Sequence, residues 1–335
     1  MNKNDFPLIL NNYFSKHLSL ERKFSENTYT SYLNVLKQFI EYLEKIGENR
    51  KNIKITDFTK GNILNFLNYV ENDLKCSIKT RNHKLTIINS FLEYAQSVNP
   101  TYLNAYLESK SIKLKKVPKK KMDYMTKDEL KAFFKAINIK YKDEYRHYIL
   151  FSILYETGAR VSELINIKVE DCFFNGNHPY IKIYGKGFKE RIVYINDSLL
   201  KMINEYLDKF NVKTGFLLRN HSGEQYSRFG INKLISKYYQ IAKKECQTLE
   251  RKTITPHTFR HSKAVHFLEN GTALPIIQRF LGHSSIQTTE IYLDITNEVV
   301  IEAVELAADI LQTEKQESVW NKDEKLIELL ESMSK

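Results

Sequence analysis

Two arginines, two histidines, a lysine and a tyrosine occur in this chain in settings that suit a single phosphodiester. Arg260 stands in Thr255-Pro256-His257-Thr258-Phe259-Arg260-His261, followed by Leu281-Gly282-His283 and then Tyr292. Arg160 lies far upstream in Gly158-Ala159-Arg160-Val161-Ser162-Glu163-Leu164, and Lys186 lies between them in Gly185-Lys186-Gly187. When a phosphodiester breaks, negative charge grows on its two non-bridging oxygens. Arginine suits that charge because its planar fork donates two parallel hydrogen bonds and never loses its proton. Arg160 and Arg260 could flank one phosphate as a preorganised clamp. His257 and Arg260, three residues apart, would share one helix face. The histidines add donors or a proton acceptor near neutral pH. Tyrosine, with a pKa of ~10, is a poor nucleophile until a cationic pocket favours its phenolate. Attack by Tyr292 would give a phosphotyrosyl link that keeps the bond energy for rejoining, so no ATP is needed. A lysine on a hairpin tip, Lys186, can protonate the leaving hydroxyl.

Each residue alone has a plainer reading. Arg160 could be a surface residue paired with Glu163, three positions on. Lys186 could be a solvated turn residue, and Tyr292 is one of 21 tyrosines. His257, His261 and His283 raise the question of zinc, since the first two are four apart. The glutamate of a His-Glu-x-x-His zinc motif is missing, however, because Thr258 stands there. No metal and no cofactor is therefore expected. The conjunction of all six residues separates the chemical reading from the plain ones.

The bulk composition fits. The 335 residues exceed the roughly 250–300 at which single cores stop growing, so two domains are expected. The hydrophobic fraction is 42% and disorder is not the main state; a net charge of +11 points to a polyanionic partner. No stretch approaches the ~20 apolar residues that span a bilayer, and the first residues do not form a signal peptide's apolar run. Three scattered cysteines, Cys76, Cys172 and Cys246, fit reduced thiols in a cytoplasm.

These side chains need elements to position them, and the pattern is mainly α with a small β-sheet. From Ser25, apolar residues Tyr32, Val35, Leu36, Phe39, Ile40, Leu43 and Ile46 recur at steps of three and four and stop at Gly47. A second stripe (Ile63, Phe66, Leu67, Val70) follows an N-cap at Thr59, and a third (Leu85, Ile88, Phe91, Leu92, Ala95) runs from Ser77 to before Pro100. With the segment around Leu8 to Leu18 they make a helical bundle over 1–108. Its charged face, on the plain reading a solvated one, includes Lys75, Lys79, Arg81, His83 and Lys84, of which Lys79, Arg81 and Lys84 are candidate DNA contacts. Residues 109–122 hold seven lysines and no acid, reading as an extended basic linker; Lys115, Lys116, Lys119 and Lys120 could lie along a phosphate backbone. A second domain, 123–312, opens on the capping box Thr126-Lys127-Asp128-Glu129. A helix over roughly 144–157 ends at Gly158. Tyr180–Tyr184 and Arg191–Ile195 alternate as strands of a hairpin around Gly185-Lys186-Gly187. Helical patterns return over Leu199–Leu207, Ile231–Ala242 and Pro256–Leu268. A C-terminal extension, 313–335, carries a last amphipathic stretch.

Order and spacing of Thr157–Leu164, Gly185–Arg191, His257–His261, Leu281–Ser285 and Thr288–Tyr292 together resemble the tyrosine recombinase (phage integrase-type) family. The likeness covers roughly 10–300, with the first helical half similar to the family's core-binding domain. The resemblance implies a site-specific DNA recombinase acting through a 3′-phosphotyrosine and a Holliday junction. Tyr292 matches the nucleophile, Arg160 and Arg260 the phosphate-binding arginines, and Lys186 the general acid. His257 matches the histidine that moves the tyrosine's proton, His283 the second phosphate donor, and Glu163 an acidic position supporting the first arginine. It further implies double-stranded DNA with inverted half-sites as substrate and a homotetramer, or a tetramer with a related recombinase. The two domains would clamp the duplex, with no membrane partner and a cytoplasmic location. Asp294 departs from the family's usual histidine two residues after the nucleophile. No small arm-binding domain precedes the bundle, which favours an Xer-like or transposon-borne recombinase; integration, excision, transposition and dimer resolution stay open. Type IB topoisomerase-like relaxation and a catalytically idle DNA-binding regulator are the rival readings.

Overall fold

The computed structural model describes residues 4–118, 122–185 and 190–282. The chain divides into two compact units, Met1–Lys120 and Lys121–Lys335.

In the first unit, helix α1 (Phe6–Asn12) runs directly into a wider π-type helix over Tyr13–Glu21. Then follow α2 (Glu26–Lys45), α3 (Lys60–Asn72), α4 (Ile78–Val98) and α5 (Leu103–Lys110). The caps are those the sequence announces. The Thr59 hydroxyl accepts the Asn62 N–H at 3.1 Å and the Ser77 hydroxyl accepts that of Thr80 at 3.2 Å, each satisfying an orphan donor of a first helical turn. The apolar stripes meet in one core in which Phe39, Phe58, Phe66 and Phe91 are fully buried. Neighbouring rings meet edge-on or tilted, as their quadrupoles prefer.

Two expectations fail in this unit. Arg81 and Lys84 do not belong to a solvated face: they are only 3% and 6% exposed. Arg81 lies against Glu71, and the Lys84 ammonium donates to the Gln38 side-chain oxygen. The Lys84 ammonium also lies over the Phe66 ring at 5.8 Å, so a charged residue on the helix pattern is no proof of a wet face. The basic stretch is also not extended from residue 109. Ser109 ends inside α5 and is buried, and Ile112 packs into the core. Further along, the Lys115 N–H donates to the Asn82 side chain at 3.1 Å while its carbonyl accepts from Asn82 at 2.7 Å. Its ammonium meets Glu71 at 2.7 Å. Local partners thus overcome the self-repulsion of the lysines at least as far as Lys115.

The second unit opens on α6 (Lys127–Lys135), where the Thr126 N–H donates to Glu129 at 2.8 Å and the Glu129 N–H to the Thr126 hydroxyl at 3.3 Å, a reciprocal capping box. Helix α7 (Lys142–Thr157) ends at Gly158 and is followed by a single turn, α8 (Val161–Leu164). Strands β1 (Cys172–Phe173), β2 (Tyr180–Tyr184) and β3 (Glu190–Tyr194) form an antiparallel sheet in that order, with Arg191 opposite Ile183. The expected hairpin therefore gains a third, two-residue strand. Helices α9 (Asp197–Phe210), α10 (Arg228–Glu245), α11 (Pro256–Glu269) and α12 (Leu274–Leu281) complete the described residues. Helix α12 was not expected; its Ile277 and Leu281 pack with Ala264, Val265 and Leu268 of α11. The main core gathers Phe133, Phe151, Tyr238 and Phe259, with Phe151 and Phe259 stacked at 5.5 Å. The C-terminal extension 313–335 lies outside the described residues. No described helix is long and apolar enough to cross a membrane.

Candidate active site

Helix α11 is fixed in three ways before it presents any functional group. Pro256 occupies its first turn, where no N–H is needed. The Thr255 N–H donates to the Thr258 hydroxyl at 3.0 Å. Phe259 enters the main core, and the Ser262 hydroxyl accepts the Met125 N–H at 2.8 Å while donating to the Thr258 carbonyl at 2.7 Å. With Phe259 inward, the next residue, Arg260, is also buried, at 3% exposure. Its guanidinium donates through Nη1 to the Gly158 carbonyl at 2.7 Å and through Nη2 to the Leu281 carbonyl at 2.6 Å. One side chain therefore holds the turn that leads into Arg160 and the turn that leads into His283.

Both turns are shaped for this. Gly158 has φ +56°, and a Cβ there would lie 3.0 Å from both Leu281 Cδ2 and Phe280 Cε1. Gly282 has φ +67° and its Cα faces Arg191: a Cβ would stand 3.1 Å from Arg191 Cδ. Glycine alone provides both the left-handed backbone and the close approach.

Arg160 caps the start of α8. Its N–H donates to Glu163 Oε2 at 2.9 Å and its Nη1 to Oε1 at 2.8 Å. Glu163 is buried, its side chain 4% exposed, and its Oε2 also accepts Arg191 Nη2 at 2.8 Å. Burial alone would raise the Glu163 pKa. The Arg191 hydrogen bond and charge, followed by the contacts of Arg160, outweigh it and hold the carboxylate below its ordinary range. Glu163 is thus ionised at neutral pH and gripped from two sides.

His257 keeps an exposed surface at the start of α11. Its partial burial, then the positive charges of Arg260 and Arg160, lower the imidazole pKa. The charges of both arginines thus act on this ring. His261, one turn on, stacks at 6.3 Å between ring centroids. Burial, then His257 and Arg260, pushes its pKa down to about 4. Both rings are neutral at pH 7, so His257 is present as a base. Among the described residues no three His, Cys, Asp or Glu side chains gather as a metal site.

The structure accordingly brings together four of the expected residues, Arg160, Glu163, His257 and Arg260. Lys186, His283 and Tyr292 lie outside the described residues, as do Lys119 and Lys120. In the first unit Lys79 and Lys116 are exposed, Lys115 is paired with Glu71, and Arg81 and Lys84 are buried. Arg191 is the residue to which sequence reading gave no role. A signal existed: strand alternation puts it on the same face as buried Val193, where a charge needs a partner.

Residues 123–298 match the phage integrase family, and residues 10–99 match the phage integrase N-terminal SAM-like domain. The chain is 32% identical over 290 residues to tyrosine recombinase XerD of Staphylococcus epidermidis, covering 83% of this chain and 91% of that protein. It is 31% identical over 291 residues to tyrosine recombinase XerC of Staphylococcus aureus, covering 85% and 91%. Among solved structures, the XerH site-specific recombinase bound to palindromic difH substrate, a post-cleavage complex, matches with a TM-score of 0.67 at 23% identity over 86% of this chain and 82% of that one. A lambda integrase dimer bound to a COC′ core site matches with a TM-score of 0.63 at 17% identity, covering 87% and 96%. At these identities the two structures speak for the fold.

Proposed function

This chain belongs to the phage integrase family of tyrosine recombinases, and from that premise we propose how its own residues break and rejoin DNA. It is a tyrosine-type site-specific recombinase with DNA as its substrate. The Tyr292 phenolate attacks the scissile phosphorus, the bond from phosphorus to the 5′-oxygen breaks, and that oxygen takes a proton from Lys186. The products are a 3′-phosphotyrosine and a free 5′-hydroxyl. Attack by a 5′-hydroxyl on the phosphotyrosine reverses the step and releases the phenol. His257, neutral at pH 7, accepts the phenol's proton. Arg160, Arg260 and His283 donate to the non-bridging oxygens as charge grows there. Glu163 holds Arg160.

The observation that carries this reading is the Arg260 guanidinium donating to both the Gly158 and Leu281 carbonyls, because it ties three distant motifs into one cationic site. Exposed Lys79 and Lys116, together with Lys115, Lys119 and Lys120, would contact the phosphate backbone and make affinity fall with salt. The buried pair, Arg81 and Lys84, would support that surface. Inverted half-sites, a homotetramer or a tetramer with a related recombinase, and a cytoplasmic location complete the proposal.

A nicked half-site duplex recovered from the protein's own target DNA tests it. Wild-type protein should become trapped as a 3′-linked covalent complex without ATP, while Tyr292→Phe should bind the same duplex and form no adduct. An adduct that survives Tyr292→Phe would remove Tyr292 as the nucleophile. Relaxation of any supercoiled plasmid by a monomer, without junction intermediates, would replace recombination by topoisomerase activity.

A further inference from the structure

Arg191 sits where three parts of the second unit meet. It belongs to β3, so it closes the hairpin whose connection contains Lys186 in sequence. Its side chain, 11% exposed, reaches across to Glu163. Its stem lies under Gly282, the residue before His283, where a Cβ would stand 3.1 Å from Arg191 Cδ. The carboxylate it meets is the one that holds Arg160 through both backbone and side chain.

Charge makes this arrangement more than a brace. A lone Arg160–Glu163 pair is neutral overall, and a phosphate approaching it would compete with the carboxylate for the same guanidinium. Two arginines around one carboxylate leave one net positive charge. Glu163 is buried, so solvent does little to screen it, and the partner it shares matters.

We propose that Arg191 is a positioning residue for strand cleavage: by compensating and fixing Glu163 it leaves the charge of Arg160 for the scissile phosphate, and it ties the Lys186 hairpin to that arginine. This rests on the reading above that Arg160 holds the phosphate.

The test compares full-length wild type with Arg191→Met, Glu163→Gln and the double variant Arg191→Met/Glu163→Gln, using single-turnover trapping on the nicked half-site. Binding to the same duplex is measured in parallel. Trapping by the wild type establishes the functional reading independently; its absence there sinks that reading before Arg191 is considered. Arg191→Met should lower the trapping rate at saturating DNA by roughly 10–100-fold, with the DNA affinity changed by less than about threefold. Removing the carboxylate as well should return about tenfold of the lost rate, a non-additive rescue expected only of coupled charges. A residue that merely braces the fold would lower DNA affinity and the urea midpoint in step with the rate, and that outcome, or additive losses in the double variant, overturns the proposal. So does trapping by Arg191→Met at the wild-type rate. If Arg191→Met does not fold, Arg191→Gln, which keeps a donor for the carboxylate but no charge, decides by the same comparison.

Discussion

The Arg260 guanidinium donates to the carbonyl of Gly158 at 2.7 Å, across 102 residues of sequence. A second bond at 2.6 Å to the Leu281 carbonyl fixes the plane of the fork. Lysine would keep the charge there but has no planar fork with which to span two carbonyls. Arg260→Lys should therefore bind DNA nearly as well as wild type and cleave about 10²–10³-fold more slowly. Gel-shift titration and single-turnover trapping separate the two effects. A parallel loss of binding and cleavage would mean that Arg260 contributes charge alone.

Gly158 supplies that acceptor from a left-handed turn. Gly158→Ala forces a Cβ against Leu281 and Phe280 at 3.0 Å on a backbone with φ +56°. The expected cost is about 1–3 kcal/mol of stability, read as an earlier urea midpoint, together with slower cleavage as the turn shifts away from Arg260. Gly61→Ala is the control, because a Cβ there meets nothing nearer than 3.8 Å and its φ is not in the left-handed range. It should be neutral or slightly stabilising in α3. Equal midpoints for the two variants would contradict the packing described.

Histidine titration gives a prediction with a definite sign. Burial and neighbouring positive charge lower His257, and the same causes hold His261 at about 4. An unfolded histidine titrates near ~6.5. Below that pH the unfolded chain binds more protons, so stability is undiminished above it and declines from 6.5 towards 4. NMR titration of His257 should give a midpoint below the ordinary imidazole value. In Arg160→Gln the midpoint should rise, since one of the two neighbouring guanidinium charges is gone. No change in that variant would place Arg160 too far from the ring to serve the same phosphate.

How much could be read in advance depended on the range of the interaction. Thr126 with Glu129, Thr59 and Ser77 act within one helical turn, so their roles follow from spacing alone. The hairpin of β2 and β3 is legible for the same reason, its alternation and turn being local. Strand β1 is only two residues long and exists because β2 pairs with it, so no periodicity could announce it. The burial of Arg81 and Lys84 depends on Glu71 and Gln38 from other helices. Lys115 likewise docks because Asn82 offers its backbone both a donor and an acceptor. In the site, the identities of Arg160, His257 and Arg260 are visible as motifs; strand alternation shows that Arg191 needs a partner, but only tertiary packing makes that partner Glu163.

Arg260 is moored by main-chain oxygens and Arg160 by a carboxylate. Amide carbonyls do not titrate, so the mooring of Arg260 is indifferent to acidity, although its two turns depend on the glycines at 158 and 282. The tether of Arg160 can be erased by protonation at position 163. Strong acid should therefore slacken the Arg160 half of this cationic site while leaving the Arg260 half in place.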